Sequence, residues 1–177
     1  MSLRISGGSL RGLKISVPKV QKVRPTSERV REAIFSKIHK DIQGATFLDI
    51  CSGSGIMSIE AISRGVSFAS IVEKNRRCIP IIQENLRKCK ICNSQYKIIA
   101  ADGKKISFDK SDIVFLDPPY AQDPKVWLYS IENLVKDILI FEHSSKNELP
   151  DNTEILEKFD ERKYGDTKIS YFAPLSI

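Results

Sequence analysis

An acid, two prolines and an aromatic ring follow one another at Asp117-Pro118-Pro119-Tyr120, directly after the apolar run Ile113-Val114-Phe115-Leu116. That run reads as a buried strand, so the four residues stand where a strand has just ended. Each proline lacks an N–H and has a fixed φ, and the residue before a proline is held extended. The result is a stiff turn that fixes a carboxylate, exposed carbonyls and a ring relative to one another. Such a set suits a flat substrate carrying an amino group. The carboxylate and a carbonyl accept its two N–H bonds, and Tyr120 stacks on its face. The same residues also make ordinary strand-ending turns, so the stretch has to be weighed with what lies upstream.

Upstream, Phe47-Leu48 leads into Asp49-Ile50-Cys51-Ser52-Gly53-Ser54-Gly55. Glycines there let the backbone turn tightly and approach a ligand closely. A dinucleotide fingerprint needs a third glycine at position 58, which is Ser58, and the Gly-Lys-Ser/Thr of a P-loop is absent. Four acids close four successive apolar runs: Asp49, Glu73, Asp102 and Asp117. Any one of them alone is also read as a strand cap; four together point to a ligand, because open α/β sheets bind ligands at the carboxyl ends of their strands. Asp49 suits an ammonium, Glu73 the two hydroxyls of a ribose, and Asp102 an adenine amino group. A ligand that combines all three is S-adenosylmethionine. The candidate cofactor set is therefore Asp49, Ser52, Gly53, Gly55, Glu73, Lys74, Asp102 and Gly103, with Asp117, Pro118, Pro119 and Tyr120 as the candidate catalytic set.

These residues need a scaffold that alternates strands and helices, and the pattern from Thr46 onward supplies it. Strands are expected at Phe47–Ile50, Ala69–Val72, Tyr96–Ala100, Ile113–Leu116 and Ile138–Glu142, with a final pair at Thr153–Phe159 and Lys168–Phe172. Helices are expected over Ile56–Arg64, from Asn75 to about Cys89 with Pro80 early in it or bending it, and around Val126–Val135. This alternation implies an α/β fold with a mostly parallel seven-stranded sheet and helices on both faces. Glu142-His143-Ser144, after the fifth strand, either lines the base pocket or forms a surface turn.

The first 40 residues read differently. Leu3 to Val17 alternates apolar positions with Gly and basic residues, as a small β-hairpin does. Pro25-Thr26-Ser27-Glu28 starts a helix that runs to about His39, with Val30, Ile34 and Ile38 on its apolar face and Arg29, Arg31 and Lys37 off it. Residues 1–40 carry ten basic and two acidic side chains, a net +8, against −2 for the other 137. A basic end on a near-neutral body points to a polyanion, most plainly nucleic acid. Arg4, Arg11, Lys14, Lys19, Lys22, Arg24, Thr26 and Arg29 are the candidate contacts, and they lie in an N-terminal unit 1–40 ahead of a catalytic domain 41–177. No apolar run approaches the ~18 residues of a membrane span, and the N-terminus shows no signal-peptide core, so a cytoplasmic protein is expected; size and charge favour a monomer. The four cysteines read as reduced thiols, and no metal site is expected, because His39 and His143 are isolated and Cys89-x-x-Cys92 has no second pair.

The motifs now carry a resemblance. Phe47 to Gly55 and Asp117 to Tyr120 look like the cofactor and catalytic motifs of class I amino-methyltransferases, which have a Rossmann-like fold. Arg4-Ile5-Ser6-Gly7-Gly8, the stretch from Arg24 to Phe35, and Tyr164-Gly165-Asp166-Thr167 resemble the RsmD family. The resemblance implies methyl transfer from S-adenosylmethionine to a guanine N2 in 16S (small-subunit) ribosomal RNA, free or within the subunit. Two departures stand out: Cys51-Ser52 where Phe-Ala is expected, and Ile56-Met57-Ser58 where Ala-Leu-Gly is usual. The residues leave other readings open, an adenine-N6 DNA methyltransferase or a non-catalytic RNA-binding assembly factor.

Overall fold

A computed structural model describes residues 2–19 and 25–176. The chain opens with a short antiparallel pair, β1 (Ser2–Arg4) and β2 (Lys14–Ser16), followed by helix α1 (Glu28–Lys37). Ser27 caps α1 and accepts from the Val30 N–H. Then come β3 (Thr46–Ile50), α2 (Ile56–Ser63), β4 (Phe68–Val72), α3 (Ile79–Lys88), β5 (Tyr96–Ile99), β6 (Ser111–Leu116), α4 (Pro124–Ile131), β7 (Val135–Ser144), β8 (Leu156–Tyr164) and β9 (Thr167–Pro174). Pro80 falls in the first turn of α3, where a missing N–H is tolerated, so it starts that helix rather than bending it.

The seven strands from β3 onward form one sheet in the order β5-β4-β3-β6-β7-β9-β8. Strands β5, β4, β3, β6 and β7 pair in parallel, and β9 and β8 close one edge antiparallel. The expected seven-stranded, mostly parallel sheet is thus present. The strand order reverses between β3 and β6, since β3 leads outward through β4 to β5 while β6 sits on its other side. That junction is the switch point where open α/β sheets leave a crevice.

Alternation along the strands divides the interior into two layers. Phe47, Ile113, Phe115 and Ile140 face one core, with Ile34 and Phe35 of α1, Ile59 of α2 and Ile82 of α3. Leu48, Ile50, Val114, Leu116 and Phe141 face the other, with Trp127, Leu128 and Ile131 of α4. Ile5 and Ile15 of the hairpin join the first core, so the N-terminal segment packs into the same apolar layer as the sheet.

Several boundaries differ from the sequence expectation: α3 begins at Ile79 and not at Asn75, and β8 spans Leu156–Tyr164 where Thr153–Phe159 is expected. The fourth helix ends at Ile131, and β7 begins at Val135, because a single 3-10 turn at Glu132–Leu134 uses up the expected last turn. Ser144 therefore ends a ten-residue strand, and Glu142-His143-Ser144 is no surface turn.

The larger correction is Arg31. Its type suggested an outward charge, yet it is 0% exposed. Its guanidinium donates to Glu60 Oε2 at 3.0 Å, to the Thr26 carbonyl at 2.8 Å and to the Arg4 carbonyl at 2.6 Å. On a 3.6-residue helix, position 31 falls between 38 and 35 on the buried stripe. Glu60, itself buried in α2, also takes Arg64 at 2.9 Å and the Ser6 hydroxyl. Lys37 is likewise engaged, with Asp160 at 2.6 Å.

Candidate active site

Residues at the carboxyl ends of β3, β4 and β6 border a cavity of about 460 Å³. The Asp117-Pro118-Pro119-Tyr120 stretch follows β6 and supplies one wall; Gly53, Glu73, Lys74 and Gly103 supply others. Eight of the twelve cofactor and catalytic candidates therefore share one cavity. Pro118 is buried and Pro119 exposed. The Tyr120 hydroxyl lies 2.8 Å from Thr167 Oγ1 on β9, which ties the ring to the antiparallel edge of the sheet.

Asp49 and Ser52 sit deeper, in a recess of about 30 Å³ that also meets Asp117 and Gly53. Asp117 is thus common to the cavity and the recess. Asp49 is 1% exposed. Its Oδ2 accepts from Ser52 Oγ at 2.7 Å, Ser58 Oγ at 2.7 Å and the Ser58 N–H at 3.2 Å. Its Oδ1 is buried with no hydrogen-bond partner among the described residues. Burial pushes the Asp49 carboxyl up to about 6; the serine hydrogen bonds pull it down and nearby Glu73 pushes it up. Ser52 and Ser58, two of the residues where the chain departs from the expected family pattern, are the ones that hold this acid.

Glu73 directly follows β4 and is oriented by two backbone donors: the Gly53 N–H to Oε2 and the Asn75 N–H to Oε1, both at 2.8 Å. Carboxylate oxygens keep further acceptor capacity after one bond each, which leaves room for a pair of hydroxyls. Gly55 begins α2 at φ 81°, a left-handed conformation that glycine adopts without strain, and stays outside both cavities. Cys51 adopts φ 66° as a non-glycine residue in the same loop. Its thiol is pushed up by burial, then by the carboxylates of Asp117, Glu73 and Asp49. So much negative charge in one place suits a cationic ligand group.

Asp102 is displaced from its expected position. β5 ends at Ile99, and Asp102 caps the short turn Gly103–Lys105, accepting from the Lys104 N–H at 3.1 Å. That backbone bond holds its carboxyl below the usual range. Lys74 Nζ stands 3.8 Å away. Its neighbours Ala101 and Gly103 line the cavity, whereas Asp102 does not.

Several wall residues carried no readable signal. Trp127 of α4 and Ala101 are ordinary core or loop residues in the sequence, and only the packing of α4 against the Gly103 turn brings them to the cavity. Glu142, by contrast, lines it as one of the two sequence readings of Glu142-His143-Ser144 had it. Next to it, His143 bonds instead to Ser170 Oγ at 2.8 Å, as strand alternation requires.

The nucleic-acid candidates fall into three groups. Arg4, Arg11, Lys14, Lys19 and Arg29 are exposed. Arg4 and Lys14 are direct partners across the β1–β2 pair, a like-charge juxtaposition that an anion would relieve. Thr26 is 3% exposed and donates to Glu142 Oε2 at 2.6 Å, so it is an interior tie and not a phosphate contact. Lys22 and Arg24 lie outside the described residues.

A doubly flanked, mostly parallel sheet with an acid-lined crevice at its switch point is the fold of class I methyltransferases. The chain belongs to the RsmD family, whose family description, Conserved hypothetical protein 95, matches residues 3–173. Ribosomal RNA small subunit methyltransferase D of Buchnera aphidicola (subsp. Acyrthosiphon pisum) is 35% identical over 122 residues, 67% of this chain and 63% of that one. The Escherichia coli K12 protein of the same name is 35% identical over 121 residues, 67% and 60% of the two chains. The matches thus span less than two thirds of those relatives' length. Among solved structures, an Escherichia coli chain described as "Putative methyltransferase yhhF" superposes with a TM-score of 0.86 at 25% identity, covering 98% of each chain. More distant neighbours, 11% and 13% identical, were solved with SAH or SAM bound and show the fold alone. Among the described residues, no helix is long and apolar enough to cross a membrane, and all four cysteines are free thiols.

Proposed function

We propose that this chain transfers a methyl group from S-adenosylmethionine to the exocyclic N2 amine of a guanine in small-subunit (16S) ribosomal RNA. The observation that carries the reading is the placing of Asp117-Pro118-Pro119-Tyr120 in one cavity with Gly53 and Glu73, beside the recess of Asp49. The relatives named for small-subunit ribosomal RNA methylation support the substrate class.

The residues present fit the cofactor. Asp49 Oδ1, buried and without a partner among the described residues, is an acceptor for an ammonium. Glu73, aimed by two backbone N–H groups, accepts ribose hydroxyls. Gly103 and Trp127 line the same cavity and border the space that an aromatic ring would take. S-adenosylmethionine, when bound, supplies a methyl group on a positively charged sulfur.

The chain's own task is to make a poor nucleophile competent. The lone pair of a guanine N2 is delocalised into the ring. Asp117 and the Pro118 carbonyl accept its two N–H bonds, which draws the nitrogen toward tetrahedral geometry and frees the lone pair. Tyr120 stacks on the base, a contact worth about 1–3 kcal/mol. Position and electrostatics then carry most of the barrier; the N2 proton leaves late, to the Asp117 carboxylate or to water, and no histidine base is needed. The base has to be unstacked to reach the cavity. Exposed Arg4, Arg11, Lys14, Lys19 and Arg29 hold the phosphate backbone and set register without reading sequence.

The test is methyl transfer from labelled S-adenosylmethionine to small ribosomal subunits, naked small-subunit RNA and duplex DNA in parallel, with the product base mapped by mass spectrometry. Label on one guanine N2 is the expected result; label on adenine in DNA would replace this reading. Asp117→Ala is expected to lose at least about 100-fold in turnover while still binding cofactor in a calorimetric titration.

A further inference from the structure

Glu142 stands in a wall between two cavities. On one side it meets the cavity of Asp117 and Tyr120. On the other it borders a cavity of about 320 Å³ that includes Arg29, Tyr164 and Thr167. It is 5% exposed. Thr26 Oγ1 donates to its Oε2 at 2.6 Å, and the Thr26 carbonyl is itself held at 2.8 Å by Arg31, the buried partner of Glu60. A chain of contacts from α2 through α1 therefore fixes where this carboxylate points. Burying an ionised carboxylate is costly unless donors meet it, and in a low-dielectric wall each donor it meets counts for more.

The chemistry of the two candidate bases differs at the atom beside the reacting amine. Guanine carries an N1–H next to its N2 amine. Adenine carries a bare N1 lone pair next to its N6 amine. A carboxylate accepts from the first and repels the second. Asp117 is equally suited to either amine, so the choice has to come from another wall of the same cavity.

We infer that Glu142 is the residue that selects guanine, by accepting the base N1–H while the neighbouring amine lies at Asp117. This rests on the proposed delivery of a guanine amine to that cavity. Thr26 is then a positioning residue, which holds the carboxylate in place without touching the base. A site that presents an acceptor to a substrate N–H rejects the analogue that turns a lone pair toward it.

The experiment compares guanosine with 2,6-diaminopurine riboside, placed in synthetic small-subunit RNA at the position mapped on the natural substrate. The analogue keeps the 2-amine but has a bare N1. The wild-type chain is expected to prefer guanosine by roughly 10- to 100-fold in kcat/KM. In Glu142→Gln the side-chain amide donates to the bare N1, and the preference is expected to shrink to about threefold or less. Gln retains an oxygen for Thr26, and a cofactor titration confirms that the variant is folded. An unchanged preference in Glu142→Gln, or an equal loss on both substrates, would overturn the role of Glu142 and leave guanine methylation standing. Methylation of adenine N6 by the wild-type chain would overturn both.

Discussion

Asp49 concentrates the residue-scale physics of the site. Its carboxyl is raised to about 6, chiefly by burial, although Ser52 and Ser58 hold it down. Burial makes the folded chain hold this proton more tightly than the unfolded chain does. Asp49 therefore contributes stability that is complete below the usual carboxylate range and is lost as pH rises through about 6. A cationic ligand reverses the preference, because it favours the ionised form. Affinity for S-adenosylmethionine is accordingly expected to climb with pH through about 6 and then level off. Calorimetric titrations between about pH 5 and pH 8 check this. Asp49→Asn should flatten the climb and weaken binding at neutral pH. Ser52→Ala combined with Ser58→Ala should shift the midpoint upward, because both hydroxyls stabilise the ionised form.

At the scale of elements, the cavity depends on how closely three of them approach one another. Gly103 lies in the turn after β5, against Ile50 of β3 and Trp127 of α4. A Cβ there would come within 2.4 Å of Ile50 Cγ2 and 3.1 Å of Trp127. One of those elements would have to move, and each carries part of the cofactor wall. Gly103→Ala is expected to cost about 1–3 kcal/mol of stability and to weaken cofactor binding as well. Urea unfolding and calorimetry report the two effects separately. The hydrogen bond from Tyr120 to Thr167 does similar work at the other wall, joining the loop after β6 to β9.

Across the whole molecule, the basic N-terminal segment and the catalytic sheet are coupled through charges buried out of sight. Arg31 and Glu60 are both 0% exposed and meet at 3.0 Å. Arg31 also holds the carbonyls of Arg4 and Thr26, so this pair joins the hairpin, α1 and α2. Removing Arg31 leaves Glu60 with Arg64 and the Ser6 hydroxyl, but strips the Arg4 and Thr26 carbonyls of their donor. Arg31→Ala is expected to destabilise the fold by about 3–5 kcal/mol, while Arg31→Lys, which keeps the charge but not the planar fork of donors, should recover only part of the loss. Denaturant midpoints for the two variants decide it. The same pairing lowers the charge the segment presents to solvent: Arg31 is paired internally and Lys37 is engaged by Asp160, while Arg4, Arg11, Lys14, Lys19 and Arg29 stay exposed.

The local pattern by itself determined the order of strands and helices, because the continuous apolar runs of β6 and β7 and the glycine loop after β3 follow from which segments are buried and from local sterics. Three of the four acids after successive apolar runs, Asp49, Glu73 and Asp117, made the ligand side of the sheet legible, because a parallel sheet brings its carboxyl ends together; Asp102 instead caps the next turn. Three things were decided only by tertiary structure. Arg31 is a charged residue that reads as surface until Glu60, 29 positions away, arrives to pair it. Thr26 reads as a helix-start hydroxyl until β7 brings Glu142 against it across 116 positions. Trp127 joins the cavity because α4 packs on the turn after β5. Local pattern fixes what a segment becomes; which buried polar groups satisfy one another depends on contacts between segments far apart in the chain, and those exist only once the sheet has closed.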